Sequence, residues 1–272
     1  MLNIEYGAVV SSGFEGVRGV TLPTLLALAV AAFFAGAMDA IGGGGGLIMV
    51  PALLAAGLPP HLALGTNKGQ SMFGSLAAAV RYARAGLVDG RAARATFPAA
   101  FLGALGGSAL VLIVRPDVLR PLVLLLLIAA AILFTLVRPQ PRGDSRVPPE
   151  RILPVAGLIA LGVGLYDGFF GPGAGTFYIA GFVGLLGLSM ARASADAKVA
   201  NFASNVAAAA IFAHRGVIVW SIALPLALGQ ILGGFVGAHL AVRRGDPFVR
   251  AVVLAVVLAL VLKIAHDLYP GP

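Results

Sequence analysis

The chain has 272 residues, of which 59% are hydrophobic and only 11% are charged, and its formal net charge is +8. An ordinary soluble domain carries about 25% charged residues, so this composition excludes a soluble globular domain and a disordered chain. The absence of cysteine excludes a disulfide-stapled secreted domain, and the scarcity of aromatic residues beside basic ones argues against nucleic-acid binding.

Long apolar segments predict an all-α polytopic protein of the cell (plasma) membrane. A helix needs about 20 apolar residues to span a bilayer, and the mean hydropathy of this chain is +0.97. The first twenty residues carry Glu5 and Glu15 and no basic region, so we expect no cleavable signal. Ten apolar segments then follow in order: Thr21–Met38, Gly46–Gly57, Leu62–Ala83, Ala95–Val114, Leu119–Val137, Leu153–Tyr166, Gly175–Leu188, Ser194–Ala213, Val217–Val242 and Phe248–Ala265.

The second and seventh segments are shorter than a comfortable span and follow glycine-rich breaks. We therefore expect broken or re-entrant helices at these two places. The longest polar stretch, RPQPRGDSRVPPER at 138–151, is rich in proline and charge and predicts a cytoplasmic linker. It separates an N-terminal repeat, 1–137, from a C-terminal repeat, 152–272.

The two halves repeat each other. GAMD at 36–39 precedes GLYD at 164–167 by 128 residues, and each is followed by a glycine-rich break, GGGGG at 42–46 or GPGAG at 171–175. Further along, 66–86 aligns with 196–216 at an offset of 130, which brings Lys68 into register with Lys198. A rare intramembrane lysine in register makes a chance match improbable.

Five segments per half is an odd number, so the second half enters the membrane from the opposite side. This predicts an inverted repeat, the architecture of many secondary transporters. With the N-terminus outside, 11 Lys and Arg residues lie on the inner side and 5 on the outer side, as the positive-inside rule requires. Eight spans with the N-terminus inside give 10 and 6, so the ten-segment reading is only slightly favoured.

The paired segments GAMDAIGGGGGLIMVPALLAAGL and GVGLYDGFFGPGAGTFYIAGFVGLLGL resemble the duplicated signature of the sulfite exporter TauE/SafE family of membrane permeases. The pair LGTNKGQSMFGSLAAAVRYARAG and ADAKVANFASNVAAAAIFAHRG is similar to that family as well. The resemblance covers about Thr21 to Ala265 and implies export of sulfur-containing anions such as sulfite or short organosulfonates. Pro172 and Asp196 break the match between the copies, so the two halves of the site are not expected to be equivalent.

Lys68 and Lys198 are the first candidates for substrate contact. An intramembrane lysine costs about 2.5–3.5 kcal/mol on insertion scales, and two ammonium groups facing each other would favour an anion. The alternatives are snorkelling to an interface or pairing with Asp39, Asp167 or Asp196.

Polar side chains accompany the lysines at helical spacing, as at 67, 71 and 75 or at 201 and 205. They form a stripe that can donate hydrogen bonds to oxyanion oxygens, the alternative being interhelical contacts worth about 0.6 kcal/mol each. Ser75 and Ser204 belong to the stripe, and Gln230 is a weaker candidate. The predicted substrate-binding residues of this kind are Asn67, Gln70, Ser71, Asn201 and Asn205.

The glycine breaks predict helix starts inside the protein, where free N–H groups and a positive dipole end favour an anion. Close helix packing through small residues is the alternative. Asp39 and Asp167, beside these breaks, are expected to cap the following helix; pairing with a lysine and carrying a proton are the alternatives. The backbone candidates are Gly43, Gly44, Gly45, Gly171 and Gly173.

Together these features predict a secondary transporter, an exporter by resemblance, that carries small sulfur-containing anions by alternating access. A passive anion channel and a permease for another small organic anion are the alternatives. The sequence offers no nucleophile and base set and no metal-ligand spacing, so we expect no enzyme, no cofactor and no metal. The expected partners are a small anion and the lipid bilayer, and the sequence leaves oligomeric state, coupling ion and direction open.

Overall fold

A computed structural model describes residues 20–119, 121–123, 125–126 and 145–268. The predictions about a cleavable signal and about most of the fifth segment (Leu119–Val137) and the linker concern residues outside these ranges. The helices with described bounds are α1 (Leu22–Gly42), α2 (Gly45–Ala55), α3 (Pro60–Arg84), α4 (Gly90–Ile113), α5 (Ile152–Phe169), α6 (Ala174–Leu186), α7 (Met190–His214) and α8 (Trp220–Leu268). The described residues of 116–126 are helical as well. A 3₁₀ turn, Pro149–Arg151, precedes α5.

Local sequence explains where the helices begin and end. Side chains at the N-cap satisfy free backbone donors of α4 and α7, where Asp89 accepts from the Arg91 amide at 2.7 Å and Ser189 accepts from the Arg192 amide. The turns after α3 and α7 each need a left-handed residue, and glycine supplies it in both, Gly86 at φ 71° and Gly216 at φ 68°. Gly245, at φ 65° and ψ −163°, interrupts α8.

Among the described residues, four helical stretches are long and apolar enough to cross a membrane, namely Leu22–Gly42, Gly90–Ile113, Pro149–Phe169 and Trp220–Val249. Their outer faces expose large apolar side chains, such as Leu26 and Phe34 on α1 and Leu228 and Leu232 on α8. Lipid rather than water suits such faces. The prediction of an all-α polytopic membrane protein is confirmed.

The two short helices after the glycine breaks have 11 and 13 residues. At 1.5 Å per residue they measure roughly 17 and 20 Å, less than the hydrocarbon core of about 30 Å. The expectation that the second and seventh segments are short is therefore confirmed.

The remaining helices pack in corresponding pairs, with α1 on α8, α4 on α5, and α3 and α7 between them. Glycines allow close approach in both pairs. A Cβ at Gly233 of α8 would lie 2.0 Å from the Phe33 carbonyl of α1, and one at Gly103 of α4 would lie 2.2 Å from the Leu161 carbonyl of α5. Gly103 and Gly233 are 130 residues apart, so equivalent positions of the two halves make equivalent contacts.

Candidate functional site

The central helices α3 and α7 run antiparallel. At one end, Thr66 Oγ1 accepts a hydrogen bond from the Val219 amide at 3.1 Å, which brings the start of α3 to the end of α7. At the other end, Asp196 Oδ1 accepts from the Asp89 amide at 3.0 Å, which brings the start of α7 to the end of α3. Thr66 and Asp196 occupy equivalent positions at the offset of 130, and so do the two amides.

Each central helix carries a buried lysine at the same depth. Lys68 and Lys198 are both the ninth residue of a 25-residue helix, and their exposed fractions are 2% and 0%. Because the helices are antiparallel, the lysines lie toward opposite ends of the pair. Neither lysine snorkels to a surface, because both are buried. Each ammonium therefore needs a partner, since an unpaired buried charge is strongly unfavourable.

The lysines are paired with carboxylates of the opposite half. Lys68 Nζ donates to Asp167 Oδ1, and Lys198 Nζ lies 2.8 Å from Asp39 Oδ2. The pairs are equivalent under the repeat, because each joins a central helix of one half to the aspartate that precedes the glycine break of the other half by a few residues.

Side-chain amides and one hydroxyl of α7 connect the two ion pairs. Asn205 Oδ1 accepts from Lys68 Nζ at 3.0 Å, while its Nδ2 donates to Ser75 Oγ at 3.3 Å. Asn201 Nδ2 donates to Asp167 Oδ2 at 2.9 Å, and Ser204 Oγ donates to the same oxygen. These polar side chains therefore hold the charged groups in place.

Asp39 and Asp167 do not cap the following helices. The N-cap residues of α2 and α6 are Gly44 and Gly173, and neither helix receives a side-chain capping bond. The capping prediction is wrong. Each carboxylate instead pairs with a buried ammonium, because an unpaired buried charge is more unfavourable than an uncapped backbone N–H.

The two glycine breaks cross each other at close range. A Cβ at Gly43 would lie 2.2 Å from the Gly175 carbonyl carbon, and one at Gly46 would lie 3.0 Å from the Pro172 Cα. Thr176 Oγ1 donates to the Gly42 carbonyl across the same contact. Close backbone packing, the alternative weighed for the glycines, is thus what the structure gives Gly43.

A small polar cavity lies between the ion pairs, and its volume is about 20 Å³, room for roughly one water molecule. Of the predicted site residues, the lining contains Asn67, Lys68, Ser71, Asn201, Asn205, Gly45, Gly171, Asp39 and Asp167. The lining does not include Gln70, Lys198, Gly43, Gly44 and Gly173. Lys198 lies just behind it, because its partners Asp39 and Asn201 are both in the lining.

Two further lining residues, Gly46 and Gly175, were absent from the predicted set, and Gln230, the weaker candidate, lies in the lining as well. The glycines carried a usable signal, since each ends a glycine-rich break. Gln230 is the single glutamine between apolar neighbours of α8, and its Oε1 would lie 2.6 Å from a Cβ at Gly74. Its place in the cavity required knowledge that α8 packs on α3.

Residues 28–264 match the family model described as Sulfite exporter TauE/SafE. The chain belongs to this family. It is 40% identical over 245 residues to "Probable membrane transporter protein ORF9" of Sinorhizobium sp, which covers 88% of this chain and 92% of the relative. It is 38% identical over 237 residues to "Probable membrane transporter protein YfcA" of Escherichia coli (strain K12), which covers 87% of each.

A third relative, "Probable membrane transporter protein" of Haemophilus influenzae, is 36% identical over 235 residues, 86% of this chain and 92% of the relative. No solved structure matches the chain. The family and its relatives identify the protein as a multi-pass membrane transporter rather than an enzyme.

Proposed function

We propose that the protein is a secondary transporter, an exporter by family, of small sulfur-containing anions such as sulfite or C2 organosulfonates. The observation that carries this proposal is the pair of buried lysine–carboxylate contacts on either side of one polar cavity. Charged groups buried within membrane proteins are costly and mark substrate or ion pathways. The family description supplies the sulfur-containing substrate class.

We propose further that the two halves are inverted repeats, 1–137 and 152–272. The exchanged ion pairs, the antiparallel central helices and the equivalent glycine contacts support this arrangement. Inverted repeats place the substrate at their interface, where broken helices meet. The crossing of Gly43 and Gly175 is such a meeting point.

The proposed orientation follows from the arginines. Asp246 accepts hydrogen bonds from the Met190 and Ala191 amides, so the kink in α8 lies at the start of α7. The end assembled in this way carries Arg84, Arg91, Arg94, Arg151, Arg192, Arg243 and Arg244, whereas Arg115 and Arg215 lie at the other. By the positive-inside rule the arginine-rich end is cytoplasmic, and the described part of the linker, 145–151, lies on that side.

In the proposed mechanism an anion oxygen takes the place of a carboxylate oxygen at a lysine. Lys68 and Lys198 supply the positive charge, and the amides of Asn67, Asn201 and Asn205 orient the remaining oxygens. The cavity has room for roughly one water molecule, which is less than a sulfur oxyanion needs. Binding therefore requires one repeat to rock away from the other, which opens the site to one side of the membrane at a time.

The first test is binding by purified protein in detergent. A ligand that binds only the folded state stabilises it by about 2.7 kcal/mol at 100 times its Kd. We expect sulfite, sulfoacetate or ethanesulfonate to raise the melting temperature of the wild type but not of Lys68→Ala or Lys198→Ala. Arg115→Ala is the control, because it removes a charge that is 80% exposed. An equal response of wild type and lysine variants would contradict the proposal.

The second test separates a transporter from a passive anion channel, which would use the same residues. In proteoliposomes, substrate on the far side accelerates exchange through an alternating-access carrier. We expect such counterflow with sulfite or a C2 sulfonate. Unitary conductance steps without counterflow would favour the channel, and counterflow with acetate alone would favour a permease for another organic anion.

A further inference from the structure

The charges at the site balance before any substrate arrives. Two ammonium groups, Lys68 and Lys198, face two carboxylates, Asp39 and Asp167. A bound monoanion would leave one uncompensated negative charge among buried groups, which is strongly unfavourable. One positive charge must therefore enter with the anion. If that charge is a proton that binds one of the carboxylates, the site stays neutral and one lysine becomes free to bind the anion.

The two carboxylates are not equally suited to this role. Asp167 accepts from three side chains, Lys68, Asn201 and Ser204, and its side chain is 1% exposed. Asp39 accepts from Lys198 alone among the described side chains, and its side chain is 19% exposed. A proton on Asp167 would weaken the acceptor of three hydrogen bonds in a carboxylate that is almost fully buried. A proton on Asp39 would weaken the acceptor of one in a carboxylate that is partly exposed.

The sequence explains this inequality. The residues of the first half that are equivalent to Asn201 and Ser204 are Ser71 and Gly74, 130 residues earlier. Ser71 Oγ points to Asn67 Oδ1 at 3.5 Å, and glycine has no side chain to donate. Space at Gly74 is also limited, because a Cβ there would lie 3.0 Å from both the Cβ and the carbonyl oxygen of Gln230.

The ionisable groups around Asp39 are few among the described residues. Lys198 on α7 contacts it directly. Tyr82 on α3 lies beside it, but its hydroxyl donates to the Ala40 carbonyl at 2.9 Å. Lys68 and Asp167 line the same cavity, and α8 contributes the neutral Gln230.

We propose that Asp39 carries one proton with each anion, while Asp167 stays ionised and holds Lys68. The inference rests on the proposed anion transport. The proton enters from water, binds an Oδ of Asp39 and breaks its ion pair with Lys198, whose ammonium then binds an oxygen of the anion. After the site opens to the other side, anion and proton leave together and the ion pair re-forms.

Ethanesulfonate is the probe for this proposal, because a sulfonate stays ionised near neutral pH and cannot carry the proton itself. In proteoliposomes we expect an inward proton gradient to drive its accumulation, with a matching fall in internal pH. Asp39→Asn should reduce gradient-driven accumulation at least tenfold while exchange of internal for external ethanesulfonate stays measurable. Asp167→Asn should lose both activities.

Asp117→Asn is the matched control, since Asp117 is also paired with a basic side chain but is 65% exposed; we expect wild-type behaviour. Gradient-driven accumulation by Asp39→Asn at the wild-type level overturns the assignment. Exchange by the wild type without proton movement overturns coupling but leaves anion transport intact. If the protein exchanges sulfite but not ethanesulfonate, sulfite becomes the probe. The ratio of gradient-driven accumulation to exchange, compared between the wild type and Asp39→Asn, then decides whether Asp39 carries the proton. Exchange of neither anion overturns both proposals.

Discussion

The two halves of the molecule share their backbone packing but differ in how they hold a carboxylate. Gly103 and Gly233 meet equivalent carbonyls at nearly the same distance, and both lysines reach across to the other half. Yet Asp167 has two neutral donors besides its lysine, and Asp39 has none among the described residues. A repeated architecture can therefore keep its backbone geometry while single side-chain differences give its two carboxylates different numbers of hydrogen-bond donors.

The largest expected effect is at the crossing of the glycine breaks, which both halves need. Gly43→Ala would bring a Cβ to 2.2 Å from backbone atoms of Gly175 and Thr176, and no side-chain rotation relieves a clash with backbone. We expect a loss above about 4 kcal/mol, the range of exceptional substitutions, measured as loss of the thermal unfolding transition in detergent.

Gly57→Ala is the control for backbone conformation. Gly57 also has a positive φ, 92°, but a Cβ there meets nothing within 4 Å. The cost should be about 1–2 kcal/mol, the strain of a left-handed alanine. Equal losses for Gly43→Ala and Gly57→Ala would mean that the crossing is not tightly packed.

The second largest effect is a difference in stability between variants of the two ion pairs. Asp167→Asn leaves Lys68 without its counter-charge in a fully buried place, and breaking a buried pair costs about 3–5 kcal/mol. Asp39→Asn also leaves a buried ammonium, Lys198, but it should cost less, because it changes one hydrogen bond of a partly exposed carboxylate rather than three of a buried one. Melting temperatures of the two variants, measured side by side, test this order. The reverse order would show that Asp39 holds the more important pair.

Sequence reasoning identified the parts of the site and gave lysine–carboxylate pairing as an alternative, but it could not decide which carboxylate each lysine contacts. The offsets of 128 and 130 identified both lysines, both acids and both glycine breaks. The pairing of Lys68 with Asp167 and of Lys198 with Asp39 joins residues 99 and 159 positions apart. Only the packing of α3 and α7 against the opposite breaks decides such contacts. Local spacing favoured helix capping, which is wrong because a buried ammonium outcompetes backbone donors for the carboxylate.

A smaller effect tests the neutral donors that distinguish the halves. Ser204→Ala removes a hydrogen bond to the Asp167 carboxylate, and bonds to charged groups contribute about 1.5–3 kcal/mol. Ser71→Ala, at the equivalent helix face, removes a long contact of 3.5 Å to Asn67 and should change the melting temperature little. Equal shifts for the two serines would remove the proposed reason for the inequality of the carboxylates.

The smallest expected effect comes from a substitution that makes the first half resemble the second at one position. Tyr82 donates to the Ala40 carbonyl at 2.9 Å and is fully buried, whereas the equivalent residue 130 positions later is the buried Phe212. Tyr82→Phe should cost about 0.5–1.5 kcal/mol, the net value of one hydrogen bond, and leave proton-driven ethanesulfonate accumulation intact. The second half already forms its ion pair without this hydroxyl. A loss of accumulation without a loss of stability would instead place the Tyr82 phenol in the proton path to Asp39.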